Sequence, residues 1–191
     1  MSGEGVAAVI IGGFVVYAAF ALWRRRQAIA AGRRTIGRGG LLADRLPYFI
    51  PIPYLVVALR PGPELAFPDG VRWAGLAISC AGIAVAIWAA ATLGRHFDME
   101  VEVHEGHEVV DRGPYALVRH PVYSGLALHF VGASLATGNL LFIAGTVLVS
   151  FPAFWLRAVA EERLLSGRLG PAYTAYARRV PMLLPRISHS G

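Results

Sequence analysis

The chain has 191 residues, 55% of them hydrophobic and only 16% charged, with a mean hydropathy of +0.53. That length suits one domain, and hydropathy this high excludes an ordinary water-soluble globule, because most of the chain must be solvated by lipid. The net charge of +6 rests on 18 basic residues, all arginine; no basic face with interleaved aromatics lies outside the apolar runs, so juxtamembrane arginines account for the charge and no nucleic-acid partner is expected.

The first element, GVAAVIIGGFVVYAAFALW (5–23), is uncharged. As a helix it would reach about 28 Å, close to the hydrocarbon thickness of a bilayer. No basic stretch precedes it; Arg24, Arg25, Arg26, Arg33, Arg34 and Arg38 follow it. That order reads as an uncleaved first span rather than a signal peptide. The next run, LPYFIPIPYLVVAL (46–59), is broken by Pro47, Pro51 and Pro53 and predicts a bent or partly irregular second span. RPGPELAFPDG is a loop by its proline and glycine content. Residues 71–94 form a third span, with Trp73 and Trp88 near its ends. The single cysteine, Cys80, lies within it. No intrachain disulfide can form, and a thiol in apolar surroundings is a poor nucleophile.

After a polar stretch, 95–121, come two apolar runs, 122–137 and 140–156, separated by Gly138-Asn139. They predict a tight helical hairpin as spans four and five, with Pro152 kinking the last. Gly170-Pro171 ends one helix and opens another. There Tyr173, Tyr176, Ala177 and Val180 form an i, i+3, i+4, i+7 stripe that reads as packing and folds the tail over the bundle. The fold class is therefore an all-α integral membrane protein with about five transmembrane helices and a C-terminal helical cap. Residues 1–94 hold three spans and the basic loop 24–45; residues 95–191 hold the polar motifs. The positive-inside rule puts the N-terminus outside. The 24–45 loop, the 95–121 segment and the tail then share the cytoplasmic side.

Three stretches carry candidate chemistry. MEVEVHEGHEVV (99–110) alternates apolar and polar residues and is either a small hairpin or an extended loop. His104 and His107 are spaced H-x-x-H rather than H-E-x-x-H, which argues against a metal site. Arg157 and Glu161 are neighbours on one helical face at the end of the last apolar run. They are either a snorkelling arginine with its salt bridge or the edge of a substrate path. In GPYALVRHPVYSG (113–125), Arg119 and His120 precede Pro121, which suits the first turn of a helix. Its tyrosines form an interfacial belt, or Tyr115, His120 and Tyr123 converge on a negatively charged or aromatic ligand.

Taken together, H-x-x-V (107–110), G-x-Y (113–115), R-H-P-x-Y-x-G (119–125), R-x-x-x-E-E (157–162), L-G-x-x-Y-x-x-Y (169–176) and V-P-x-x-L-P (180–185) resemble the isoprenylcysteine carboxyl methyltransferase family. That family lies within a wider group of integral-membrane methyltransferases that includes phospholipid N-methyltransferases. The resemblance covers roughly the C-terminal half. It implies S-adenosylmethionine as methyl donor, bound on the cytoplasmic side beneath the tail. It implies that His107, Glu108, Val109, Val110, Tyr115, His120, Pro121, Val122, Tyr123 and Glu161 line that cofactor, and Glu100 matches a further contact. It implies that Arg157 faces a lipidic methyl acceptor entering from the bilayer, so Arg157 and Glu161 are the expected catalytic pair. GRGG (37–40) lacks the spacing of a soluble dinucleotide fold. An arginine beside the acceptor favours a prenyl or lipid carboxylate over an amine. Phospholipid N-methylation is the alternative within the family. A nicotinamide-dependent sterol-reductase-like enzyme and a non-catalytic membrane scaffold are the alternatives outside it.

Overall fold

The computed structural model describes residues 3–30, 35–38, 51–59, 62–94, 102–104 and 109–186. Helix α1 is Gly3–Ala30, α2 is Pro51–Leu59 and α3 is Asp69–Leu93. Helix α4 is Pro121–Thr137, α5 runs over Leu140–Leu169 and α6 is Pro171–Arg179. Three of these helices, over Glu4–Gln27, Asp69–Leu93 and Leu140–Leu169, are long and apolar enough to cross a membrane. The chain is a membrane protein. Of the five expected spans, the second appears as the nine residues of α2, and the fourth as the 17 residues of α4. The fifth does not stop at residue 156: α5 continues through Arg157 and Glu161 as one helix.

Beside the helices the described residues hold one short two-stranded ribbon. Strands β1 (Thr35–Arg38) and β2 (Glu102–His104) pair antiparallel, with a register irregularity between Thr35 and Gly37. The alternation in 99–110 therefore finds its partner in the basic loop after α1, not across a hairpin of its own. The pairing joins the two polar segments that charge bias assigns to one side.

Helices α3 and α4 touch backbone to backbone. A Cβ added at Gly82 would lie 2.4 Å from the amide nitrogen of His129, and one at Gly132 would lie 2.3 Å from that of Ser79. Gly75 and Gly125 are equally closed by the facing main chain. Small residues at such spacing let membrane helices approach to this distance. Across the same contact His129 Nδ1 lies 2.8 Å from Ser79 Oγ and 3.1 Å from the Ser79 carbonyl; since a carbonyl only accepts, Nδ1 carries the proton. The interior between α1, α2, α4 and α5 is filled by rings. Phe130 stacks on Phe142, meets Phe154 edge-on and meets Tyr54, which stacks on Phe14.

The hairpin expected at Gly138-Asn139 is present. Gly138 caps α4 in the left-handed conformation at φ 66°, where glycine carries no steric penalty. Asn139 caps α5 by accepting from the Phe142 amide at 2.9 Å. The disturbance expected from Pro152 is expressed as a widened π turn over Thr146–Ser150, in which the Phe151 amide reaches back to the Thr146 carbonyl. Proline has no amide to donate and its ring crowds the preceding turn, and one extra residue in that turn relieves both. Leu148, Val147, Val149 and Trp155 face outward here, as a lipid-facing surface requires.

Candidate active site

The site forms where the start of α4 meets the polar end of α5. The approach is tightly turned: Gly113–Ala116 is one 3₁₀ turn, opened by Gly113 at φ 58°, and it buries Pro114 and Tyr115. Beyond this turn His120 sits at the N-cap of α4, and Pro121 occupies the first helical position, where its missing amide costs nothing. The polar half of α5 then places Arg157, Glu161 and Glu162 beside these groups.

Glu162 collects four donor atoms. Arg119 grips it with Nε at 2.7 Å and Nη2 at 3.0 Å, His120 Nε2 lies at 2.8 Å and the Tyr173 hydroxyl at 2.8 Å. Glu161 faces the other edge of the same imidazole, with Oε2 3.2 Å from His120 Nδ1. It also accepts from the Tyr123 hydroxyl. Tyr123 in turn accepts from Arg157 Nε at 2.6 Å, while Arg157 Nε and Glu161 Oε1 are 3.6 Å apart. Both nitrogens of His120 thus face carboxylate oxygens. An ionised carboxylate only accepts, so both nitrogens donate and the ring is an imidazolium. Burial pulls the His120 pKa down, but the hydrogen bonds and charges of Glu161 and Glu162 outweigh it and leave the value raised. Burial, reinforced by Glu161, pushes the Tyr115 hydroxyl well up, so it stays neutral. Burial opposes the charge on Arg119, and Glu162 more than compensates.

The tail closes over this cluster. Arg119 Nη1 donates to the carbonyls of Ala177 and Val180 at 2.8 and 2.6 Å. The Arg119 and His120 amides donate to Pro181 and Met182, and Ser124 Oγ donates to Leu183 at 2.6 Å. The expected packing stripe of α6 is there: Tyr173, Tyr176 and Val180 are buried against Val109, Leu165 and Leu169. Its hydroxyls have a second use, for Tyr176 donates to the Tyr115 carbonyl at 2.7 Å and Tyr173 holds Glu162.

Of the residues anticipated from sequence, Tyr123, His120, Arg157 and Glu161 are brought into one hydrogen-bonded cluster, and the Tyr115 hydroxyl lies within reach of the Glu161 charge. Pro121 is buried at the helix start. Val122 packs toward Ala21 and Ala90 in the apolar core, and Val109 packs under α6; Val110 is half-buried beside it. Glu100, His107 and Glu108 lie outside the described residues. Among the described residues no group of three or more His, Cys, Asp or Glu side chains is arranged to hold a metal ion. Sequence reasoning assigned no site role to Arg119 or Glu162 and read Tyr173 only as packing, although all three stand inside the motifs that carried the resemblance. It also passed over Tyr17 of α1, which lies close enough to Arg157 and Glu161 to interact with both charges.

A phospholipid methyltransferase family model matches residues 71–172, which holds nearly all of α3, the cluster residues from Arg119 to Glu162 and the start of α6. The chain belongs to this methyltransferase family. It is 32% identical over 162 residues to a probable protein-S-isoprenylcysteine O-methyltransferase of Oryza sativa subsp. indica, covering 82% of this chain and 84% of the rice protein. It is 31% identical over 133 residues to protein-S-isoprenylcysteine O-methyltransferase B of Arabidopsis thaliana, covering 65% and 68% of the two chains. A nickel-cobalt-cadmium resistance protein, NccN, of Alcaligenes xylosoxydans xylosoxydans is 30% identical over 99 residues, 51% of this chain and 46% of its own. Membership in the family implies a methyl donor. The described donor set suits a cationic one: Glu161 presents a partly exposed carboxylate next to the stacked rings of His120 and Tyr123.

Proposed function

We propose that this enzyme transfers a methyl group from S-adenosylmethionine to the carboxylate of a lipidic acceptor of the isoprenylcysteine kind. The observation that carries the reading is Arg157, a buried guanidinium one helical turn from Glu161 at the mouth of an apolar bundle. A buried cation in such a place selects an anionic head group on a hydrophobic molecule.

When bound, S-adenosylmethionine supplies an electrophilic methyl carbon. The acceptor carboxylate would already be ionised near neutral pH, so no side chain of this protein would have to take a proton. The protein therefore needs no general base. Its task is alignment and exclusion of water. Arg157 holds the acceptor carboxylate, in the manner of charge-assisted pairs. Glu161 takes the donor's ammonium group, and His120 and the ring of Tyr123 flank its adenosine. Arg119, Glu162 and Tyr173 keep His120 in place. The acceptor's chain enters sideways from the bilayer, and the arginines after α1 and in the tail put this face on the cytoplasmic side.

The test is transfer of labelled methyl from S-adenosylmethionine to a panel of prenylcysteines, isoprenoid acids and amine-headed phospholipids, with purified protein in detergent. Labelling of acids but not amines is expected. Labelling confined to the amine lipids would overturn the carboxylate reading and favour N-methylation.

A further inference from the structure

Tyr54 and His129 are polar side chains of the apolar interior that take no part in the site described above. Tyr54 is the polar residue of α2, whose remaining positions are Pro, Ile, Leu, Val and Ala. His129 is the histidine of α4, a helix without Asp, Glu, Lys or Arg. It stands nine residues along α4 from His120, about 13 Å further into the bundle at 1.5 Å per residue. Tyr54 is 6% exposed and His129 1%. Polar groups at such depth are expensive, and in a membrane bundle they mark function by default.

Each of the two has an atom without a hydrogen-bond partner among the described residues: the Tyr54 hydroxyl and His129 Nε2. The two atoms are opposite in character. The phenol O–H donates. His129 Nδ1 gives its proton to the Ser79 carbonyl across the α3–α4 contact, so Nε2 of the neutral imidazole presents a lone pair and accepts. The rings are neighbours, with centres 5.9 Å apart and planes at 24°. Neither is loose. Tyr54 stacks on Phe14 at 4.1 Å, and Phe130 meets both rings edge-on, at 5.6 and 5.9 Å. Ser79 Oγ, 2.8 Å from Nδ1, holds the imidazole from its other edge.

A donor and an acceptor side by side, both unmet, call for a group that accepts and donates at once. An O–H group is the smallest that qualifies: its lone pair takes the Tyr54 proton and its own proton goes to Nε2. We propose that Tyr54 and His129 form an intramembrane binding site for one hydroxyl group, supplied by a water molecule or by an alcohol-bearing lipid. A carboxylate or an ether has no proton for Nε2, and an ammonium has no lone pair for Tyr54, so the site rejects all three. The bound oxygen ties α2 to the α3–α4 pair by a directional link as well as by ring contact. With a lipid alcohol as its source, the pair is a recognition point separate from the charged cluster around His120.

The test is nitrogen NMR of the full chain carrying isotope-labelled histidine, in lipid-free detergent and again with hexadecanol added. The His129 ring signals are those lost in His129→Phe or, where that variant does not fold, those that move in Ser79→Ala. Nε2 should resonate as an unprotonated nitrogen that accepts a hydrogen bond, and should move to the position of a free acceptor in Tyr54→Phe. Transfer of magnetisation from water to the His129 ring protons in lipid-free detergent identifies the hydroxyl as water's. A bonded signal that arises only with hexadecanol identifies it as a lipid alcohol's. A protonated Nε2, a free acceptor under both conditions, a signal unmoved in Tyr54→Phe, or a scalar coupling that reveals a direct bond from Tyr54 to His129 overturns the proposal.

Discussion

His120 is held by two carboxylates that are themselves neighbours on α5, so its proton belongs to the architecture of the site. Its pKa is raised, because Glu161 and Glu162 outweigh its burial. A group raised on folding contributes stability that is fully present below its unfolded value, about 6.5 for histidine, and that is lost as pH rises through the folded value. The cap over the site should therefore loosen as pH rises above the ordinary histidine range. Glu162→Gln removes one of the two charges, so the loss should begin at lower pH; thermal melts across a pH series, with His120 followed by NMR, would check it. A melt profile unchanged by Glu162→Gln would count against this account. Arg157 makes a different prediction. Removing the arginine that meets the acceptor's carboxylate costs about 2–5 kcal/mol of binding, which corresponds to roughly 30-fold to several thousand-fold in rate at about 1.4 kcal/mol per factor of ten. Arg157→Ala should lower kcat/KM for an acid acceptor by that order in steady-state assays. Arg157→Lys should restore little, because an ammonium cannot both meet Tyr123 through an Nε edge and present a planar fork.

Among the elements, the α3–α4 pair is the rigid unit. Its glycines face backbone at 2.3 to 2.7 Å from where a Cβ would stand, so Gly132→Val must push the helices apart. Overpacking of this kind costs about 1–3 kcal/mol. Unfolding in mixed detergent should show the loss, whereas Gly12→Ala, with open space around it, should be neutral or stabilising by up to about 1 kcal/mol. This contact was hidden in the sequence, where Gly75, Gly82 and Gly132 read only as part of apolar runs and Gly125 as the end of the R-H-P-x-Y-x-G motif. The hairpin was legible, because Gly138-Asn139 carries its own cap chemistry. Arg157 and Glu161 were legible as a pair because four residues is one helical turn. Glu162 was not, since periodicity places it on a different face and its chief partner, Arg119, stands 43 residues earlier. Only the fold brings such partners together. The strand pairing failed for the same reason: alternation in 99–110 announces an extended segment but does not name its partner strand, Thr35–Arg38, far earlier in the chain.

For the molecule as a whole, the polar cap is fastened to the membrane bundle at the turn before α4 and along the polar end of α5. The tail from Ala177 to Leu183 supplies acceptors to Arg119, His120 and Ser124, and α6 supplies the hydroxyls of Tyr173 and Tyr176. A chain ended after Tyr176 would leave Arg119 Nη1 and the Arg119 and His120 amides without their tail acceptors, and unsatisfied buried groups cost about 1–3 kcal/mol each. Such a truncation should abolish S-adenosylmethionine binding in calorimetry while the bundle keeps its helical circular dichroism; full affinity would argue against a closing role for the tail. All five tail acceptors, at Ala177, Val180, Pro181, Met182 and Leu183, are main-chain carbonyls. Every amino acid owns that group, proline included. The fastening is thus indifferent to side-chain identity, Val180 with its buried packing excepted. It responds to the strength of the carbonyl itself, so an ester linkage introduced at Pro181 or Met182 by semisynthesis would slacken the cap where replacing the side chain would not.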